Sequence, residues 1–199
     1  MGKVRITPGF LLLMALLFYL DEGVGILPWC LMAAALHELG HYGVGCAFGG
    51  RLRWLELSAV GAQLSLGYSN PLSYGRELAV VLAGPVTNLL LGVVAAQLRL
   101  FLLAGVSFGM GVFNLLPICP LDGGRALLAG LSALLGEEIG ERVLDVTAGI
   151  LVGLVAGGGA IVAGYFGNFS LLITTLWLLC LTLRKNKKKT GKNSLLFDR

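Results

Sequence analysis

The chain returns repeatedly to apolar runs about as long as a bilayer is thick. A spanning helix needs about 20 mostly apolar residues, and hydrocarbon tolerates only backbone that satisfies its own hydrogen bonds. Runs of this kind occupy residues 10–20, 24–48, 78–96, 106–116, 146–166 and 169–183. The first is short and closes at Asp21-Glu22, and the fourth breaks at Pro117 and Pro120. Composition agrees, since 13% of the residues are charged, against roughly 25% in a soluble domain. The expected fold is an α-helical polytopic membrane protein with about six transmembrane helices.

Between the second and third runs the pattern changes. Arg51 to Leu57 and Ala62 to Leu66 alternate with period two around Gly61, which predicts a small β-hairpin. Ser69-Asn70-Pro71 ends it as a turn. A helix or half-helix is expected over residues 124–135. Gly153, Gly157 and Gly164 suit close helix packing. The cysteines at 30, 46, 119 and 180 form no CxxC and read as small buried hydrophobes.

Residues 1–183 therefore form one membrane domain, followed by a basic tail at 184–199. Lys3 and Arg5 precede an apolar run as in a signal peptide, yet no small-residue cleavage site follows, so a retained first span is expected. Positive residues collect on the cytoplasmic side. The Arg184–Lys189 run then places the C-terminus in the cytoplasm, and an even number of spans places Lys3 and Arg5 there too. Arg51, Arg53, Arg76, Arg125 and Arg142 fall on that side, and Arg99 on the other. The tail reads as a topology anchor, with no nucleic-acid partner expected.

Against this background His37-Glu38-Leu39-Gly40-His41 stands out, because the chain has 2 histidines and both lie inside the second apolar run. On a helix they share one face, one turn apart. Two imidazoles at that spacing can bind one zinc ion, and Glu38 can reach a metal-bound water. Zinc lowers the pKa of its water towards about 7, and the glutamate takes the proton. The alternative is histidines that merely hydrogen-bond within a bundle, but ionisable groups inside a span are functional by default.

A catalytic zinc site takes three protein ligands and keeps one position open. With no third histidine, a carboxylate or a cysteine must serve. Asp122 follows Pro117 and Pro120 and precedes Gly123-Gly124-Arg125. Irregular backbone at membrane depth is tolerated where it lines a cavity, so Asp122 is the expected third ligand and Cys119 the reserve. The competing reading makes Asp122 the N-cap of the next helix.

Three motifs together resemble the site-2 protease family of intramembrane zinc peptidases. They are His37-Glu38-Leu39-Gly40-His41, Ala83-Gly84-Pro85-Val86-Thr87-Asn88, and Asn114-x-x-Pro117-x-x-Pro120-Leu121-Asp122-Gly123-Gly124-Arg125. They stand in the family's order between about residues 30 and 130. The last most resembles the stage IV sporulation protein FB branch, which processes a membrane-tethered sigma-factor precursor.

The resemblance implies Zn2+ on His37, His41 and Asp122, Glu38 as general base, and Asn114 as the residue that helps place substrate. It implies a membrane-tethered protein substrate, the lipid bilayer and an inhibitory membrane protein as partners. The implied setting is a multi-pass protein of the bacterial cell membrane. That branch carries a pair of CBS motifs after its last span, whereas a short basic tail follows Leu183 here, and no PDZ insertion interrupts the chain. Regulation by nucleotide through a tail domain is therefore not expected. A metal carrier or sensor without catalysis is the other class considered; it needs no base beside its ligands, and Glu38 argues against it.

Overall fold

The structure, a computed structural model, describes residues 3–21, 23–59, 61–119, 121–167 and 172–176. Its elements in chain order are β1 (Lys3–Ile6), α1 (Pro8–Leu20), α2 (Leu27–Ala47), β2 (Arg51–Ser58), β3 (Gly61–Gly67), α3 (Tyr74–Gln97), α4 (Phe101–Asn114), α5 (Asp122–Leu135) and α6 (Glu137–Phe166). The chain falls into two compact units, Met1–Leu115 and Leu116–Arg199.

The expected hairpin forms. β2 and β3 pair antiparallel, with Leu55 opposite Leu64 and Ser58 opposite Gly61. Gly61 closes the turn at φ +121°, a backbone region open to glycine. The Ser58 hydroxyl donates to the Gly61 carbonyl at 3.0 Å. The sheet has a third strand that the sequence pattern did not reveal. β1 lies parallel to β2, with Val4 opposite Leu55 and Arg5 opposite Glu56. Its 4 residues, Lys3 to Ile6, alternate charged and apolar with all side chains exposed, but so short a run directly before α1 does not stand out from the flank of the first apolar stretch.

Thr7 joins this strand to α1. Its N–H and its hydroxyl both donate to the Leu57 carbonyl, at 2.9 and 3.2 Å. Its Oγ1 also accepts from the Phe10 N–H at 3.3 Å, so Thr7 is the N-cap. Pro8 follows in the first turn, where its missing N–H costs nothing. Asp21 ends α1 and starts α2, its carboxylate accepting from the N–H groups of Ile26 at 2.9 Å and Leu27 at 3.1 Å.

α3 and the Glu137–Tyr165 stretch of α6 are long and apolar enough to cross a membrane, and α1 and α4 are shorter apolar helices. Several helix starts differ from expectation, α3 beginning at Tyr74 rather than near residue 78 and α4 at Phe101 rather than near 106. α5 begins at Asp122 rather than near residue 124, and α6 begins at Glu137 rather than near 146. Gly136, at φ +88°, separates them. Glu137 and Glu138 then sit in the first turn, where the helix dipole favours acids. Arg142 pairs with Glu138 at 2.7 Å one turn on. Apolar periodicity could not show this polar first stretch of α6. Of the expected sixth span, residues 172–176 are helical; its remainder and the basic tail lie outside the described residues.

In the first unit α2, α3 and α4 pack around Ala33, Ala95, Leu103 and Ala104, with Trp29, Leu91, Val106 and Met110 against them. Small residues set the spacing. A Cβ on Gly92 would meet the Phe108 ring at 3.0 Å, and one on Gly111 would meet Leu89 at 3.1 Å. Close backbone approach of this kind is how helices associate where no water drives them together. Leu12 and Phe18 of α1, and Ile150 and Leu154 of α6, are exposed; lipid tails accommodate such surfaces.

Candidate metal centre

His37 and His41 stand together on α2. Their ring centroids are 4.7 Å apart with planes at 83°, and the two Nε2 atoms face each other at 3.1 Å. His37 is buried and His41 half-buried.

Each outer ring nitrogen has a partner on α3. His41 Nδ1 lies 2.8 Å from the Val80 carbonyl. A carbonyl oxygen only accepts, so Nδ1 carries the proton and Nε2 is left with a lone pair. His37 Nδ1 lies 3.3 Å from the carboxamide of Asn88, whose side chain is fully buried. Metal-ligating histidines are held in this way, the second nitrogen orienting the first.

The first two motifs interlock through their glycines. A Cβ on Gly40 would collide with Thr87 and, at 2.8 Å, with the Ala83 carbonyl. A Cβ on Gly84 would collide with His41 and come within 2.8 Å of His37 Nε2. Gly40 thus lets α3 approach α2, and Gly84 leaves free the space in front of both Nε2 atoms. Two imidazole lone pairs facing each other at 3.1 Å repel unless a cation or a proton lies between them. This donor pair and the space in front of it fit a metal ion.

Glu38 follows His37 on the same helix and is half-buried. Asn114 is the last residue of α4, and its Nδ2 donates back to the Met110 carbonyl at 3.0 Å. At the other end of the proline-rich loop Asp122 is 8% exposed and opens α5. The N-cap is Leu121, so the reading of Asp122 as the cap is corrected. Asp122 lies in the first turn, where the positive end of the helix stabilises a carboxylate. Arg125 approaches it to 4.0 Å, with its own side chain 53% exposed. The turn is tight, with the Leu121 N–H donating to the Ile118 carbonyl at 2.8 Å. A Cβ on Gly124 would meet the backbone of Ile118 and Cys119, at 2.6 and 2.7 Å, which explains a glycine there. Cys119, the reserve ligand, is half-buried.

Sequence reasoning gave no role to Val80, Gly84 or Asn88. An asparagine inside an apolar helical run was the available signal, because such a group needs a polar partner once buried.

Residues 95–158 match Peptidase family M50. The chain is 31% identical to stage IV sporulation protein FB of Bacillus subtilis over 155 residues, covering 71% of this chain and 52% of that protein. It is 29% identical to a zinc metalloprotease of Methanocaldococcus jannaschii over 113 residues, 51% of this chain and 32% of that one. The chain thus spans about half, or less, of the length of these curated relatives. Among solved structures, the site-2 protease from Methanocaldococcus jannaschii superposes with a TM-score of 0.69 at 22% identity, covering 92% of this chain and 91% of that one. That likeness shows the fold.

Proposed function

Because the chain belongs to Peptidase family M50, the site-2 protease family, we propose that it is an intramembrane zinc endopeptidase acting on a membrane-tethered protein. The observation that carries this reading is the pair of Nε2 atoms 3.1 Å apart, with both outer nitrogens anchored on α3. The chain holds a His–His–Asp group of metal-ligand residues, His37, His41 and Asp122. In our reading these three would hold zinc, the three protein ligands that a catalytic site uses.

When bound, zinc supplies a Lewis acid that makes water acidic enough to lose a proton near neutral pH. Glu38 accepts that proton on a carboxylate oxygen and later returns it to the departing amine, the general-base and general-acid roles of one residue. Asn114 helps place the scissile segment. The sheet supplies a docking edge for an unwound strand. Among the described residues, in the strand order β1-β2-β3, both outer strands have an open side. β1 carries Lys3 and Arg5, charges that discourage pairing, which leaves β3 as the favoured edge. β3 is tied to the metal helix, since Gly45, one turn beyond His41, packs against Leu66 and Tyr68.

We place the protein in a bacterial cell membrane with six spans and both termini cytoplasmic, residues 1–183 forming the protease domain. The likeness to stage IV sporulation protein FB supports a tethered transcription-factor precursor as substrate. The test is co-expression with candidate tethered factors, comparing the wild type with Glu38→Gln. Zinc content should be unchanged and cleavage should fall by roughly 10²–10⁴-fold. Wild-type cleavage by a zinc-loaded Glu38→Gln would remove Glu38 as the base. Zinc binding without cleavage of any tethered protein would favour a carrier or sensor.

A further inference from the structure

We propose that Asn88 is a positioning residue that selects the tautomer of His37 through its carboxamide oxygen and so fixes His37 as a metal ligand through Nε2. The inference rests on the reading that His37 and His41 hold zinc.

The argument starts from what each ring nitrogen can do. His41 is settled by Val80, whose carbonyl takes the Nδ1 proton at 2.8 Å and leaves the Nε2 lone pair facing His37. The state of His37 is not settled by a carbonyl. Its Nδ1 meets a carboxamide at 3.3 Å, and a carboxamide offers a donor on one side and an acceptor on the other.

With Asn88 Nδ2 towards the ring, Nδ1 must accept, the His37 proton sits on Nε2, and Nε2–H donates to His41 Nε2 at 3.1 Å. That arrangement is self-consistent without metal, but it strands Asn88 Oδ1. Among the described residues this oxygen is buried with no hydrogen-bond partner. A half-turn of the carboxamide puts Nδ2 in its place, so either orientation leaves one buried polar atom unsatisfied, and what decides between them is the ring nitrogen that Asn88 faces. After the half-turn Oδ1 accepts from His37 Nδ1–H, Nε2 loses its proton, and both Nε2 lone pairs point into the space that Gly84 keeps open. Two lone pairs face each other there only if a cation takes both. Rotation of Asn88 is therefore matched to metal arrival, and the acceptor orientation belongs to the loaded protein. Asn88 thus does for His37 what Val80 does for His41, with the added freedom to serve the metal-free state.

The chain has 2 histidines, which makes a direct test legible. Full-length protein labelled with ¹⁵N-histidine is examined by NMR, free and loaded with zinc alone. Loading should move the His37 proton from Nε2 to Nδ1, while His41 keeps its proton on Nδ1 throughout. Two variants are titrated with zinc against a competing chelator. Asn88→Asp retains an oxygen acceptor and should bind zinc at least as tightly as the wild type. Asn88→Leu has no acceptor and should bind roughly 10–100-fold more weakly. The wild-type spectrum keeps the idea falsifiable even if Asn88→Leu does not fold. A zinc-loaded His37 that is unprotonated at Nδ1, or Asn88→Asp binding as poorly as Asn88→Leu, overturns the role of Asn88 while leaving the metal site standing. A wild type that binds no zinc overturns both.

Discussion

Gly84 of α3 lies so close to His41 of α2 that no side chain fits between them. The contact is made by the two reactive edges of the site, Nε2 of His41 and Nε2 of His37, rather than by the backs of the rings. A glycine here keeps a metal-sized space free; it is not required by the backbone, which is helical at this point.

The first prediction concerns this contact. Gly84→Ala should displace one or both imidazoles and weaken zinc binding at least about 10-fold, in line with the sensitivity of metal sites to ligand orientation. Gly75→Ala, on the same helix with nothing within 4 Å of its Cβ, should leave affinity unchanged. Chelator competition on both variants measures this. Equal affinities would mean the site does not need the space that Gly84 provides.

The metal itself gives the second. Purified protein should contain about one zinc per chain. His37→Ala and Asp122→Ala should each lose most of it, since two remaining ligands hold zinc far more weakly. Elemental analysis after dialysis decides the matter. Full zinc retention by Asp122→Ala would remove that residue from the ligand set.

A third prediction follows from the charges. A reporter fused after Lys189 should be active only in the cytoplasm, and a reporter in the loop near Gly23 only outside. Gly23 and Gly25 have positive φ and open space around them, so an insertion there should be tolerated. A tail reporter active only outside would overturn the six-span arrangement with both termini cytoplasmic.

The fourth tests β3 as a docking edge. Successive amides of a strand point to opposite sides, so one of Gln63 and Leu64 turns its N–H towards β2 and the other away. Gln63→Pro and Leu64→Pro should both leave zinc bound. The variant that removes the outward amide should slow cleavage without lowering thermal stability. The other should lower stability. Cleavage unchanged in both would dismiss main-chain pairing of substrate on β3.

The helical spacing of His37 and His41 was legible in five consecutive letters, because a turn of helix is local geometry and needs no tertiary contact to bring i and i+4 to one face. Hairpin alternation between Arg51 and Leu66 was legible for the same reason, period two being a property of the strand. β1 escaped notice because its alternation of Lys3, Val4, Arg5 and Ile6 spans only 4 residues, too few to tell a strand from the polar flank of an apolar run. The polar first turns of α6 escaped because apolar runs mark where a helix meets lipid, not where it starts. The partners of the metal helix lie further off still. Asn88 meets His37 across 51 positions and Val80 meets His41 across 39, and which residues of α3 face α2 depends on how closely the two helices pack. Gly40 and Gly84 set that distance. The sequence by itself determined which residues are the candidates for the chemistry. Packing of α3 on α2 decided how the imidazoles are aimed, because a proton's position on a ring is chosen by whatever lies on its far side.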